Sequence, residues 1–340
     1  MKRYSTLVTA RLEPEALKQL EPYCDLRFSG WLETGTIFST QEIEPHLEGV
    51  EIFIDGYEKV TEEMLSRLPS LKLIACCRGN PVNIDLQAAA RRGIPVVYTP
   101  GRNANGVAEF TIGLMLAATR HIAQVYHVLK EGQYLASPGE DLWEEATGDV
   151  VWDTPGENLH TTYGGYELEG RTLGIIGFGH IGRLVAQKAA ALGMQILACD
   201  PYCVDGGGLG RLVPLEELLA GSDIVTLHCK VTAENHHLLG ERELSQMKPS
   251  SILINTARAS LVDPQALVKA LREGAIAGAA LDVFWKEPLA ANHPLLQMDQ
   301  VLVTPHIAGA SLDVTRNQSR MIVEDVLNWI EGRPLLRQAN

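Results

Sequence analysis

The chain has 340 residues, above the usual single-domain size, and a hydrophobic content of 46% is enough to fill two cores. A formal net charge of −13 and a pI near 5.3 describe an acidic protein that repels a polyphosphate backbone, which sets nucleic acid aside as a partner. No apolar run approaches membrane-spanning length, and Met1-Lys2-Arg3-Tyr4 leads into a short strand-like segment instead of a secretory core, so the expected compartment is the cytoplasm, with no membrane contact.

The first hundred residues alternate strand and helix signals. Tyr4 to Thr9 is followed by Pro14 to Leu20, Glu51 to Asp55 by Thr61 to Leu68, and Leu71 to Cys76 by Asp85 to Arg92, before a last apolar run from Ile94 to Tyr98. This rhythm predicts a small parallel α/β unit. A long apolar-rich helix is expected from Asn105 to Ile122, in a position to bridge two domains. The stretch from 137 to 166 breaks the pattern with Gly, Pro, Asp, Glu and Thr around Trp143, Trp152, Tyr163 and Tyr166. It reads either as an irregular surface excursion pinned by its aromatics or as an arm reaching the other domain or a second subunit.

The α/β rhythm then resumes. Thr172 to Ile176 is apolar and β-branched like a buried strand, and Ile181 to Leu192 has helical periodicity and stops at Gly193. Between them lies Gly177-Phe178-Gly179-His180-Ile181-Gly182, a glycine fingerprint on a strand-to-helix turn. Gly177 permits the tight turn, Gly179 allows close approach of a pyrophosphate, and Gly182 lets helix and strand pack, with the helix amino terminus attracting phosphate charge. Asp200, about 20 residues beyond the turn, suits both ribose hydroxyls and repels a 2′-phosphate, so NAD is expected over NADP.

Further strands are expected at Ile224 to His228, Ser251 to Ile254, Ala279 to Phe284 and Val301 to Thr304, and an amphipathic segment from Ser311 to Ile330 is expected to return to the first domain. Three groups follow successive strands where open α/β sheets place their ligands: Arg258, Glu287 and His306. A guanidinium fork holds a carboxylate through two parallel hydrogen bonds, the role expected of Arg258. An imidazole exchanges a proton with a carbonyl or hydroxyl oxygen, the role expected of His306. A carboxylate behind that ring orients it and favours its charged form, the role expected of Glu287. Together these expected roles fit hydride transfer between a nicotinamide and a 2-oxo acid. The six cysteines, Cys24, Cys76, Cys77, Cys199, Cys203 and Cys229, lack metal spacing and read as reduced thiols, with no metal expected.

Several ordered motifs resemble the D-isomer-specific 2-hydroxyacid dehydrogenases. They are the glycine turn at 177 to 182, Asn255-Thr256-Ala257-Arg258, Leu281-Asp282-Val283-Phe284 running to Glu287-Pro288, and Thr304-Pro305-His306-Ile307-Ala308-Gly309. Pro100-Gly101 and the Val107-Ala108-Glu109 helix extend the likeness over roughly residues 70 to 320. The resemblance implies two doubly wound parallel-sheet α/β domains. A flavodoxin-like substrate domain, 1–104 with 310–340, is interrupted by a Rossmann NAD-binding domain at 105–309, with a cleft between them and a homodimer built around the nucleotide domains. It also implies that Thr111, the backbone of His180 and Ile181, Cys229, Thr232, Ala257 and Asp282 line the nicotinamide and ribose sites.

Two positions depart from the family. Arg258-Ala259 stands where relatives carry Arg-Gly, adding a methyl group near the coenzyme. The substrate loop reads Cys77-Arg78-Gly79-Asn80-Pro81, in which Pro81 removes an amide donor and Arg78, with Arg102, is available to add positive charge. Arg78, Gly79 and Asn80 are therefore expected to contact substrate, and an inward Arg78 points to a phosphorylated or doubly acidic substrate, as in the phosphoglycerate dehydrogenase branch. Glyoxylate-like or hydroxypyruvate-like acids are the other candidates. The expected function is an NAD-dependent dehydrogenase of a small D-2-hydroxy acid, the alternative an NAD(H)-sensing corepressor-like protein of the same fold. Formate dehydrogenase is disfavoured by Glu287, and the stretch after Ile330 is expected to hold no regulatory domain.

Overall fold

In the computed structural model, which describes residues 2–135 and 159–340, the chain divides into two units, Met1–Gly106 with Ala310–Asn340, and Val107–Gly309. Residues 136–158, with Trp143, Trp152 and most of the expected arm, lie outside the described residues. The first unit is built on β1 (Tyr4–Val8), β2 (Cys24–Phe28), β3 (Ile52–Asp55), β4 (Leu73–Cys76) and β5 (Val96–Tyr98). All pairings are parallel, in the order β2-β1-β3-β4-β5, the flavodoxin-like arrangement.

Neighbouring residues of a strand point to opposite faces, and here both faces are covered. Leu7, Phe53, Ile74 and Val96 pack with Met64, Leu65 and Ala88 on one side. Val8, Ile54, Ala75 and Val97 pack with Leu20, Ile322 and Val326 on the other. The inner strands therefore read as continuous apolar runs. The edge strand β2 does not: only Cys24 of its five residues is buried, and its alternating pattern escaped the sequence reading. Helix Leu312–Ile330 closes the second face. Beyond it, Arg337 pairs with the buried Asp325 at 2.8 Å, and Asn340 bonds both the N–H of Val96 and the carbonyl of Ile94.

A buried acid pair stands at the carboxyl end of β3. Glu58 accepts the Thr9 hydroxyl at 2.7 Å and the N–H groups of Tyr57 and Trp31 at 3.2 and 3.3 Å. Asp55 accepts Asn83 Nδ2 at 2.6 Å, and its Oδ1 is buried without a hydrogen-bond partner among the described residues. Burial, reinforced by the like charge of Glu58, pushes the Asp55 carboxyl up to about 8.

The second unit carries β6 (Thr172–Ile176), β7 (Gln195–Cys199), β8 (Arg211–Leu212), β9 (Ile224–Leu227), β10 (Ile252–Asn255), β11 (Gly278–Leu281) and β12 (Val301–Val303). They form one parallel sheet in the order β12-β11-β10-β9-β6-β7-β8. The winding of the chain reverses between β6 and β9, the switch point at which doubly wound sheets bind ligands. The helix expected from Asn105 to Ile122 runs from Ala104 to Thr119, and a second helix, Ile122–Lys130, follows it past His121, whose left-handed φ of 53° separates the two. Among the described residues no helix is long and apolar enough to cross a membrane. All six cysteines are free thiols, Cys24, Cys76 and Cys77 buried.

Candidate active site

The second unit brings Arg258, Glu287 and His306 to the carboxyl ends of adjacent strands β10, β11 and β12. Asn255, the last residue of β10, shapes the first of these turns: its Oδ1 accepts the Ala257 N–H at 3.0 Å and its Nδ2 donates to the Arg258 carbonyl at 2.9 Å. Arg258 is exposed, with Nη1 donating to the Ala257 carbonyl at 2.6 Å, its one side-chain hydrogen bond among the described residues, so most of its five donors face outward. Ala259 is buried at the start of the following 3₁₀ turn.

His306 Nδ1 lies 2.7 Å from Glu287 Oε2, and Glu287 Oε1 accepts the Phe284 N–H at 3.0 Å. The hydrogen bond from His306 holds the Glu287 carboxyl below the ordinary carboxylate range, assisted by the Phe284 amide and the positive charges of His306 and Arg258, against a smaller opposing effect of burial. All three side chains thus belong to one electrostatic cluster. The second ring nitrogen of His306, Nε2, faces no carboxylate at ion-pair distance among the described residues.

The glycine turn opens at the switch point. Gly177 has a φ of 92°, and a Cβ there would lie 2.4 Å from the Cys229 amide nitrogen. A Cβ on Gly182 would collide with the Gly177 carbonyl oxygen, so helix His180–Ala191 seats tightly on β6. A Cβ on Gly179, by contrast, would enter open space, with nothing within 4 Å. That opening lies at the amino terminus of a 12-residue helix with no capping side chain, which leaves first-turn amides for an anion. Asp200 sits against the same turn, accepting the Phe178 N–H at 2.7 Å through Oδ2 and the Tyr202 N–H at 2.9 Å through Oδ1.

The sequence pattern of the D-isomer specific 2-hydroxyacid dehydrogenase, NAD binding domain, matches residues 112–308. The chain is 36% identical to a glyoxylate reductase of Aeropyrum pernix, over 98% of this chain and 95% of the relative. It belongs to the D-isomer specific 2-hydroxyacid dehydrogenases. A D-3-phosphoglycerate dehydrogenase of Archaeoglobus fulgidus is 36% identical over 91% of this chain, which spans 55% of that longer protein. The crystal structure of the TT0316 protein of Thermus thermophilus superposes with a TM-score of 0.77 at 33% identity, covering 99% of this chain and all of that one.

As an NAD-dependent dehydrogenase of this family, the protein has a second unit that fits its coenzyme: an open glycine cradle, a helix terminus without a capping side chain and an acid, Asp200, bonded to the glycine turn. The other candidate residues take varied positions. Thr111 is fully buried, donating to the Val107 carbonyl at 2.8 Å and lying 2.9 Å from the Thr256 hydroxyl, so it braces the β10 turn. Cys229 is half-buried, its thiol pushed up to about 11 by burial. Thr232 is exposed and its N–H bonds Asn235 Oδ1 at 2.7 Å. Asp282 is fully buried and bonded to the residues around His306.

In the first unit, Arg78 stands over the Tyr57 ring at 5.3 Å and pairs with no carboxylate among the described residues, while Gly79 and Asn80 are exposed. Arg102 is spent internally, donating to the Cys77 carbonyl at 2.5 Å and to Gln318. Sequence reasoning missed Tyr57 and gave Thr304, though named in a motif, no role. A hydroxyl two residues before a strand-end histidine was the available signal for the second; an aromatic 21 positions from its cation gave none.

Proposed function

We propose that this dehydrogenase interconverts a small 2-oxo acid and its D-2-hydroxy acid, with glyoxylate and hydroxypyruvate as the favoured oxo acids. What carries the reading is the 2.7 Å contact between His306 Nδ1 and Glu287 Oε2 beside the exposed fork of Arg258. Bound NADH supplies the hydride. Arg258 takes the substrate carboxylate bidentately, which presents the neighbouring carbonyl carbon in a fixed orientation. His306 donates the Nε2 proton to the carbonyl oxygen as negative charge grows there, and in the reverse direction its neutral ring accepts the hydroxyl proton. Glu287 holds the ring by Nδ1 and stabilises the imidazolium.

Arg78, Gly79 and Asn80 are assigned to substrate recognition, supported by an Arg78 guanidinium braced on Tyr57 without an acidic partner among the described residues. The division of labour follows the two units, with the coenzyme on Val107–Gly309. We also assign a homodimer, supported by Ile122, Tyr126 and Leu129, which recur along one helix and are 55%, 64% and 40% exposed. Six free thiols agree with a cytoplasmic setting.

The test is NADH oxidation with glyoxylate, hydroxypyruvate, pyruvate, phenylpyruvate and 3-phosphohydroxypyruvate in parallel. A kcat/KM highest for the first two supports the proposal. A preference for the phosphorylated acid moves the substrate to the phosphoglycerate class, and absence of turnover with every acid, together with tight NADH binding, favours a nucleotide-sensing protein.

A further inference from the structure

Asp282 follows β11 and is fully buried, yet it faces no cation at ion-pair distance among the described residues. Its charge is met by hydrogen bonds from one short segment. Oδ1 accepts the Thr304 hydroxyl at 2.7 Å and the Ile307 N–H at 2.9 Å, and Oδ2 accepts the Ala308 N–H at 2.8 Å. Its backbone carbonyl accepts the His306 N–H at 2.8 Å, and the carbonyl of Leu281 accepts the Thr304 N–H at 2.9 Å. From 304 to 308 every backbone N–H is therefore tied to residue 281 or 282, except at Pro305, which has none.

The segment so tied is one that would not hold its shape alone. His306 has a φ of 56°, in the left-handed region that costs a residue with a Cβ about 1–2 kcal/mol. That conformation sets the direction in which the imidazole leaves the backbone. The His306–Glu287 contact thus has two anchored ends: Glu287 is held by the Phe284 amide, and His306 by the Asp282 backbone carbonyl, with Thr304, Ile307 and Ala308 on either side of it tied to the Asp282 carboxylate. Three of the roughly four lone-pair positions on that carboxylate are taken by the segment.

We propose that Asp282 is a positioning residue for the acid–base step, acting through residues 304–308 to keep the His306 ring against Glu287. The proposal rests on the reading of His306 as the proton donor. Asp282 transfers no proton itself. Its two carboxyl oxygens accept from three donors at once, which an amide cannot do, because one oxygen becomes an NH2 group facing a donor.

The experiment uses the full-length protein and the variants Asp282→Asn and Thr304→Val, with turnover, oxo-acid KM, NADH affinity by fluorescence, melting temperature and the pH profile of kcat/KM measured on each. Asp282→Asn should lower kcat roughly 10- to 100-fold, as expected for a misplaced catalytic group, a fall larger than any loss of NADH affinity, with the imidazole limb of the pH profile displaced. Thr304→Val, which removes one of the bonds, should displace the same limb in the same direction with a fall of about 3- to 10-fold. Combined with Glu287→Gln, Asp282→Asn should cost less than the product of the separate effects, because both act on one ring.

A folded Asp282→Asn enzyme with unchanged kcat and pH profile overturns the proposal. So does a loss of NADH affinity matching the loss of kcat with the pH profile unmoved, which would give the carboxylate to the coenzyme. Where Asp282→Asn fails to fold, an unchanged Thr304→Val enzyme has the same force. His306→Ala separates the two levels: full turnover in that variant removes the acid–base reading itself, whereas loss there with no effect at 282 or 304 removes only the positioning role.

Discussion

His306 and Glu287 share a 2.7 Å hydrogen bond while the other oxygen of Glu287 is held by the Phe284 amide, so the carboxylate cannot turn away without giving up a second bond. The sign of the pH dependence follows. Glu287 is held below its ordinary range by His306, so the pair is intact above the ordinary glutamate range and is lost only as pH falls through the depressed value. Oxo-acid reduction needs the imidazolium and falls as pH rises through the imidazole titration; hydroxy-acid oxidation needs the neutral ring and rises. Glu287→Gln keeps the shape but removes the charge that favours the imidazolium. The alkaline limb of reduction should move to lower pH, with kcat down roughly 10-fold or more, and pH-rate profiles of both enzymes check it.

Arg258→Lys retains the positive charge and loses the planar fork. The oxo-acid KM should rise about 10- to 100-fold and kcat should fall, because one ammonium cannot fix both carboxylate oxygens. NADH affinity, measured by fluorescence quenching, should stay within about 3-fold of the parent, since loss of a substrate contact leaves the coenzyme site intact.

The first two glycines of the turn separate folding from binding. Gly177→Ala adds a methyl 2.4 Å from the Cys229 nitrogen at a φ of 92°, and should destabilise the protein by something on the order of 2–4 kcal/mol. Gly179→Ala adds one where nothing lies within 4 Å. Its melting temperature should match the parent while its NADH dissociation constant rises about 10-fold or more, the methyl occupying space meant for the pyrophosphate. Calorimetry and NADH titration on the pair decide the matter.

Asp55 makes a prediction about stability alone. Its carboxyl is pushed up to about 8, so between its unfolded value near 3.8 and that point the folded chain holds a proton that the unfolded chain has released. Stability from this group is complete below the unfolded value and declines as pH rises, by at most roughly 1.4 kcal/mol per pH unit. Asp55→Asn mimics the protonated acid and should flatten the decline, gaining on the parent most above pH 8. Denaturant midpoints from pH 5 to 9 for both proteins test this.

The legible parts of the sequence were those where one short stretch carries its own physics. Thr172 to Ile176 followed by three spaced glycines needs no partner to be read as a strand, a turn and a helix. The convergence of Arg258, Glu287 and His306 could be expected because each follows a strand of one sheet, and parallel strands deliver their ends to one edge. What escaped depended on partners distant in sequence or on weak local signals. Asp282 and Thr304 meet across 22 positions, and Arg78 finds Tyr57 across 21. Strand Arg211–Leu212 has two residues, too few for a period to show, and His121 breaks a helix through a backbone conformation that no apolar pattern encodes.

The first unit takes its second face from residues 312–340, while the whole of Val107–Gly309 lies between its parts in the chain. During synthesis, the nucleotide-binding unit leaves the ribosome contiguous and ready to collapse, whereas the sheet begun by Tyr4 to Val8 must wait, with Val8, Ile54 and Val97 uncovered, until Ile322 and Val326 emerge. The sheet begun before Val107 is thus finished only after Gly309, and its exposed apolar face is where a nascent chain of this protein would call on a chaperone.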